Sequence, residues 1–94
     1  MSTVVVYKYQ LEVTHRRILI NPSTDWKLLS LQLQDRVPTL WLLVNPDLQV
    51  THRVVMVGTG YFFKLSDFVP KVEPLGSVQI GSFVWHYFLE RKLG

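Results

Sequence analysis

Apolar and polar residues alternate with a period of two along much of this chain, which is the pattern of half-buried β-strands. In the segment 29–34, every second residue is leucine, and the residues between the leucines are serine or glutamine. The N-terminal segment alternates in the same way, with Val5, Tyr7 and Tyr9 on one face of a predicted strand. Because no stretch shows the sustained period of about 3.6 residues that marks an amphipathic helix, we predict an all-β protein.

Proline, glycine, asparagine and aspartate divide this pattern into short strands, since these residues favour turns and interrupt strand pairing. The predicted strands are Thr3–Glu12, Arg17–Ile20, Leu29–Gln34, Thr39–Val44, Gln49–Val57, Ser77–Ile80 and Phe83–Glu90. Hairpin links between them predict one β domain over residues 1–94, folded as a small antiparallel β-sandwich or barrel.

Two of the predicted connections are unusual. Two-residue hairpin turns prefer glycine where Arg36 stands, so a slightly longer loop is expected between Gln34 and the next strand. The segment Tyr61–Gly76 contains Pro70 and Pro74 and is expected to form a long excursion outside the strands.

The balance of apolar and charged residues indicates a protein that associates. The chain has 94 residues, of which 48% are hydrophobic, 13% aromatic and only 18% charged. The segments Trp41–Val44 and Phe83–Phe88 are apolar on both faces, so one face of each must be covered by a second subunit, a partner or the excursion. We therefore expect a homo-oligomer or a partner-bound domain.

Cysteine, hydropathy and charge restrict the setting and the ligands. The chain has no cysteine, which indicates a reducing cytoplasm. No run approaches the roughly 20 apolar residues of a membrane helix, and the N-terminus lacks the features of a secretion signal. The net charge of +3 is spread over scattered Lys and Arg residues, which favours anionic ligands and argues against duplex nucleic acid.

The tetrapeptide Val-Thr-His-Arg occurs twice, at Val13–Arg16 and at Val50–Arg53, and each copy leads into an apolar strand. Small β proteins present side chains to ligands at such strand ends. Arg16, His52 and Arg53 are therefore candidate ligand contacts.

The sequence Gly58-Thr59-Gly60-Tyr61 follows an apolar strand and has two alternative interpretations. Glycines at this point let the backbone approach a phosphate, or they serve a turn that ends the strand. The longer glycine pattern and the following helix of a nucleotide-binding loop are missing from the sequence.

The tryptophans Trp41 and Trp85 also have two interpretations. They belong to the core or to an oligomer interface, which aromatic residues dominate energetically, or they form a surface on which a base stacks.

Neither a metal site nor a catalytic site is predicted. The three histidines lack the spacing of metal ligands, and no cysteine supplements them. No local signature joins a nucleophile to a base, and most of the seven carboxylates fall in predicted turns. His86 alternates with Val84 and Phe88 and is expected to pack within the sheet with one hydrogen bond. We expect no cofactor.

Several segments together resemble a family of small β proteins of bacteriophages and prophages that have no assigned activity. The resemblance covers nearly the whole chain and rests on these segments: Tyr7–Leu11, Leu40-Trp41, Asn45-Pro46-Asp47, Gly58-Thr59-Gly60, Leu75–Gln79 and Phe83–Glu90. The family often has histidine where this chain has Tyr61, and glycine where it has Arg36. The first difference weakens any acid–base or ligand role carried over to position 61, and the second changes only a turn.

The resemblance implies a phage origin, and small phage β proteins of this kind are often accessory or counter-defence factors. Our leading hypothesis is a non-enzymatic protein in the cytoplasm of the bacterial host that binds and sequesters a nucleotide-type immune signal. The predicted contacts to phosphate or ribose are Arg16, His52, Arg53, Gly58, Thr59, Gly60 and Tyr61, with Trp41 or Trp85 for stacking. The alternatives are an inhibitor that binds a host defence protein and a phage structural or assembly protein.

Overall fold

The computed structural model describes residues 3–13, 18–64, 66 and 71–92, and it shows strands in two antiparallel sheets. The strands are β1 (Val5–Gln10), β2 (Ile18–Ile20), β3 (Lys27–Gln34), β4 (Val37–Val44), β5 (His52–Gly58), β6 (Val72–Ile80) and β7 (Phe83–Glu90). One turn of 3-10 helix, Pro46–Leu48, lies between β4 and β5. The predicted all-β antiparallel fold is confirmed, and of its two forms the structure is the sandwich.

The strand order is β1-β4-β3 in the three-stranded sheet and β2-β5-β7-β6 in the four-stranded sheet. β4 and β7 are the longest central strands, and each pairs with both of its neighbours over most of its length. Because the side chains of a strand alternate between faces, β7 directs Trp85 and Tyr87 toward the other sheet and His86 away from it.

The inward faces of the two sheets form one hydrophobic core. Its buried members are Leu11, Ile20, Trp26, Leu40, Leu42, Val44, Val54, Met56, Leu75, Val78, Trp85, Tyr87 and Leu89. Burial of each large aliphatic side chain stabilises the fold by about 1.5–3 kcal/mol. The hydroxyl of the fully buried Tyr87 donates to the carbonyl of Glu12 at 3.3 Å, and burial raises the pKa of Tyr87 to about 12.

Two segments cross between the sheets at the same end of the sandwich, and buried hydrogen bonds hold them together. One segment joins β2 to β3 and the other joins β4 to β5. The hydroxyl of Ser23, which has no exposed surface, accepts from the backbone N–H of Asn45 at 2.8 Å. The N–H of Val50 donates to the carbonyl of Pro22 at 3.0 Å. These bonds satisfy backbone groups that would otherwise be costly to bury.

The turn between β3 and β4 is shorter than predicted. It consists of Asp35 and Arg36 alone, because Gln34 already pairs with Val37. Both turn residues have positive φ, +52° for Asp35 and +67° for Arg36, as in a type I′ turn. The expectation of a longer loop was therefore wrong: the match between this turn and the twist of the strands outweighs the strain of a non-glycine residue.

β6 begins earlier than predicted, at Val72 instead of Ser77. It includes Pro74, which has no N–H to donate, and its register against β7 shifts between Pro74 and Gly76. A proline is tolerated here because β6 lies at the edge of its sheet. The predicted excursion is shorter accordingly, and part of it, residues 65 and 67–70, lies outside the described residues.

The guanidinium of Arg91, the residue after β7, contacts the segment that joins β2 to β3. Its carbon atom lies 3.7 Å from the centre of the Trp26 ring, Nη1 donates to the carbonyl of Thr24 at 2.9 Å, and Nη2 pairs with Glu73 at 2.9 Å. Arg91→Ala should lower the free energy of unfolding by about 1–3 kcal/mol, because the stacking and the hydrogen bonds are lost together. Chemical denaturation measures this change.

Two matched variants separate the contributions. Glu73→Gln removes only the partly exposed ion pair and should cost about 0–1 kcal/mol. Arg91→Lys keeps the charge but not the planar fork and should lie between the other two. If Glu73→Gln were as destabilising as Arg91→Ala, the stacking on Trp26 would contribute nothing.

Candidate functional site

A polar row crosses the outer face of the four-stranded sheet, where the imidazole of His86 lies between two hydroxyls. The Oγ of Ser77 is 2.6 Å from Nδ1 of His86, and the Oγ1 of Thr59 is 2.6 Å from Nε2. We call Thr59, His86 and Ser77 the polar row. His86 is half-buried, whereas both hydroxyl residues are exposed.

Strand register assembles the polar row. In the pairing of β7 with β6, His86 lies opposite Ser77, and in its pairing with β5 it lies opposite Val57. Thr59 follows β5 by one residue, and its N–H donates to the carbonyl of Val84 at 3.1 Å. This bond holds the Thr59 side chain beside the ring.

The two hydroxyls have different roles toward a neutral imidazole. A neutral ring has one N–H and one free lone pair, so one hydroxyl accepts from the ring and the other donates to it. The hydroxyl that accepts keeps its own proton for donation, each oxygen has a further lone pair, and both residues are exposed. The polar row can therefore offer a donor and acceptors to a ligand. Within the described residues, no carboxylate is hydrogen-bonded to His86.

An aromatic cluster occupies the opposite face of the same sheet end. The rings of Tyr61 and Trp85 are stacked, with centroids 6.1 Å apart and an interplanar angle of 21°. Phe83 is tilted against Trp85 at 6.2 Å. We call Tyr61, Phe83 and Trp85 the aromatic cluster. Trp85 is only 8% exposed, but Tyr61 is 48% and Phe83 is 55% exposed, so the cluster has an accessible outer surface.

The turn formed by Gly58, Thr59, Gly60 and Tyr61, which we call the glycine turn, contributes one residue to the polar row and one to the aromatic cluster. Thr59 belongs to the polar row and Tyr61 to the aromatic cluster. The N–H of Tyr61 donates to the carbonyl of Gly58 at 3.1 Å. Gly60 has a φ of +88°, which residues other than glycine rarely adopt. Gly58 is needed for space: a Cβ there would lie 2.7 Å from the Tyr61 ring and 3.1 Å from Trp85. A ligand that contacts both groups must therefore lie across the edge formed by this turn.

The structure brings together part of the predicted site. Gly58, Thr59, Gly60, Tyr61 and Trp85 form one neighbourhood at the end of β5 and the start of β7. This is the part of the prediction that the glycine pattern supplied.

The other predicted residues lie elsewhere. His52 and Arg53 begin β5, so Arg53 is about 16 Å from Gly58 at the ordinary rise per residue. Trp41 is in β4 of the other sheet, on its outer face. Arg16, with most of the first Val-Thr-His-Arg copy, lies outside the described residues.

In the second Val-Thr-His-Arg copy, His52 is buried and Arg53 is hydrogen-bonded to the neighbouring strand β7. His52 has no exposed surface, and its Nδ1 lies 2.8 Å from the carbonyl of Val50, which identifies Nδ1 as the protonated nitrogen. Nε2 is buried and has no hydrogen-bond partner among the residues that the structure describes. The N–H of Arg53 donates to the Glu90 carboxylate at 3.2 Å. His52 is therefore an internal residue and does not line a ligand surface.

Ser77 and His86 were not among the predicted site residues. His86 was expected to make one hydrogen bond, but both of its nitrogens face a hydroxyl. The sequence grouped His86 with Val84 and Phe88, and the structure places these three half-buried residues on the face of β7 that points away from the other sheet. No sequence signal identified Ser77, because its position opposite His86 depends on the register shift in β6.

Comparison with known proteins gives a family and no activity. A family model described as "Domain of unknown function (DUF7352)" matches residues 2–93. The chain belongs to the DUF7352 family. No curated protein matches this DUF7352 chain, and no solved structure does.

The described residues of the DUF7352 chain contain neither a membrane-spanning helix nor a cluster of metal ligands. No helix there is long and apolar enough to cross a membrane. No group of three or more His, Asp or Glu side chains in that part is placed to hold a metal ion.

Gly58→Ala should displace the Tyr61 ring, because the added methyl would lie 2.7 Å from it. We expect a loss of about 1–3 kcal/mol in stability, together with a changed near-ultraviolet circular dichroism signal from Trp85. The matched control is Gly81→Ala, where φ is +61° and an added Cβ would have no described residue within 4 Å other than its chain neighbours. It should cost about 1–2 kcal/mol through backbone strain and leave the aromatic signal unchanged. Identical spectra for both variants would contradict this role of Gly58.

Stability should fall on acidification because of His52. Burial lowers the pKa of His52 below its ordinary value of 6.5. The unfolded chain therefore takes up a proton that the folded protein disfavours, so stability present above about pH 6.5 is lost as the pH falls. Chemical denaturation near pH 8 and near pH 5 measures the loss. In His52→Gln the pH dependence should be shallower; an unchanged dependence would show that His52 does not cause it.

Proposed function

We propose that this DUF7352 protein is a non-enzymatic counter-defence protein of phage origin that sequesters a nucleotide-type signalling molecule in the host cytoplasm. The observation that carries the proposal is the glycine turn, which places a hydroxyl–imidazole row and an accessible aromatic surface at one end of one sheet. The resemblance to small phage β proteins supports the biological setting.

The two groups suit the two halves of a nucleotide. The exposed surface of the Tyr61 ring offers a base a stacking partner, and such stacking is worth about 1–3 kcal/mol per base. The Ser77 and Thr59 hydroxyls suit ribose hydroxyls, which donate and accept hydrogen bonds, or phosphate oxygens, which accept them. The net charge of +3 favours an anionic ligand.

The polar row supports binding more than hydrolysis. In a serine hydrolase, a carboxylate holds the imidazole and stabilises the imidazolium that forms when the nucleophile loses its proton. Here the second ring nitrogen faces a neutral hydroxyl, which stabilises that cation far less. Sequestration without turnover is therefore the function that this geometry favours.

A protein ligand is the second candidate, because one feature favours it. Phe62 is 103% exposed and lies between Tyr61 and Phe63, which are 48% and 49% exposed. Adjacent exposed aromatic residues are typical of surfaces that dock a protein. A host defence effector would be the target in that case.

Calorimetric titration with cyclic oligonucleotides and ADP-ribose-type ligands tests the proposal. A ligand that binds the parent protein should bind Ser77→Ala and Tyr61→Ala about tenfold more weakly, since each loses a hydrogen bond or a stacking contact. Ser82→Ala is the matched control, because Ser82 is exposed in the neighbouring β6–β7 turn. Arg53→Ala, at the far end of β5, should retain binding.

Two results would contradict the nucleotide proposal. One is equal binding by Ser77→Ala, Tyr61→Ala and Ser82→Ala, which would place the ligand elsewhere. The other is no binding of any ligand in the panel together with a stable complex, lost in Phe62→Ser, when the protein is mixed with a purified host effector.

A further inference from the structure

In the described part of the chain the sandwich has four edge strands, and three of them carry a feature that hinders pairing with another strand. β2 has only three residues. β3 has a register shift between Leu28 and Ser30, and β6 contains Pro74 and a second shift. Short strands, irregular register and proline are the means by which edge strands avoid joining other sheets.

β1 is the exception among these edges. It pairs with β4 at six consecutive positions without a register shift, and it contains neither proline nor glycine. Val6 is 51% and Tyr7 is 36% exposed. The N–H and C=O groups on the outer edge of such a strand are ready to pair with a further strand.

The one charged residue of β1 does not protect this edge. The Nζ of Lys8 lies 3.5 Å from the Oε1 of Gln34 in β3. Since β4 lies between β1 and β3, the Lys8 side chain extends across the face of its own sheet. A lysine that protects an edge would instead project past it into solvent.

We infer that β1 is a self-association edge, at which a second copy of this chain adds its own β1 in antiparallel orientation. The two three-stranded sheets then form one continuous six-stranded sheet around a twofold axis. This gives the predicted homo-oligomer a defined surface, and it does not depend on the nucleotide proposal.

Registers with the twofold axis at Tyr7 or at Lys8 pair the most residues of β1 (Val5–Gln10) with its copy, and the charge of Lys8 favours the first. Residues that lie directly opposite in antiparallel strands share a face of the sheet, so the axis must pass through a residue. With the axis at Tyr7, Val6 of one copy lies opposite Lys8 of the other, and Val5 lies opposite Tyr9. With the axis at Lys8, two like charges would face each other, which is unfavourable.

The variants Val6→Glu and Val6→Lys test this register. Because Val6 is exposed in the single chain, both should change the stability of the monomer by similar amounts. Sedimentation equilibrium of the full chain from about 1 μM to about 1 mM should show the mass rising from 11.0 kDa toward twice that value. Val6→Glu, opposite Lys8, should strengthen the dimer. Val6→Lys should dissociate about tenfold more readily than Val6→Glu.

A double variant separates the charge effect from misfolding. Val6→Lys combined with Lys8→Glu restores opposite charges and should restore the dimer. The inference is overturned if the parent protein remains a monomer over the whole range. It is also overturned if the dimer forms but Val6→Glu and Val6→Lys dissociate equally, since the contact then lies elsewhere.

Discussion

The register of β7 against its two neighbours is the constraint on which the rest of the structure depends. This strand sends Tyr87 and Leu89 into the core and His86 to the opposite face. A slip of one residue would exchange the two sets, exposing the core side chains and burying the imidazole. The buried side chains of β7 therefore determine where the candidate site lies. The free energy that holds this register comes mainly from the burial of apolar surface.

The glycine turn places one of its residues on each face of the four-stranded sheet. Thr59 remains close enough to the end of β5 to reach His86, while Tyr61 folds back over Gly58 onto Trp85. The polar and aromatic groups are therefore neighbours through the sheet rather than within one cavity. A ligand that contacts both the polar row and the aromatic cluster would be extended and would lie across the edge formed by the glycine turn. A nucleotide, with its base separated from its phosphate, can have this shape.

The sequence predicted the fold better than it predicted the site. Period-two alternation located the strands, but in 29–34 the structure leaves Leu29 52% and Leu33 41% exposed, and only Leu31 packs against the core. The turn at Asp35 and Arg36 and the strand through Pro74 were missed, because twist matching and an edge position overrode local preferences. The glycine turn and Trp85 were identified locally. The polar row was not, since Ser77 and His86 meet only through strand pairing. The second copy of the repeated tetrapeptide places His52 in the interior, and most of the first copy lies outside the described residues.

Native mass spectrometry of the purified protein, alone and after incubation with cyclic oligonucleotides and ADP-ribose-type compounds, distinguishes sequestration from turnover. Sequestration predicts one defined mass gain per site, with the ligand released chemically intact on denaturation. A ligand recovered as a cleaved product would contradict sequestration. An absence of any mass gain across these compounds would contradict nucleotide binding itself.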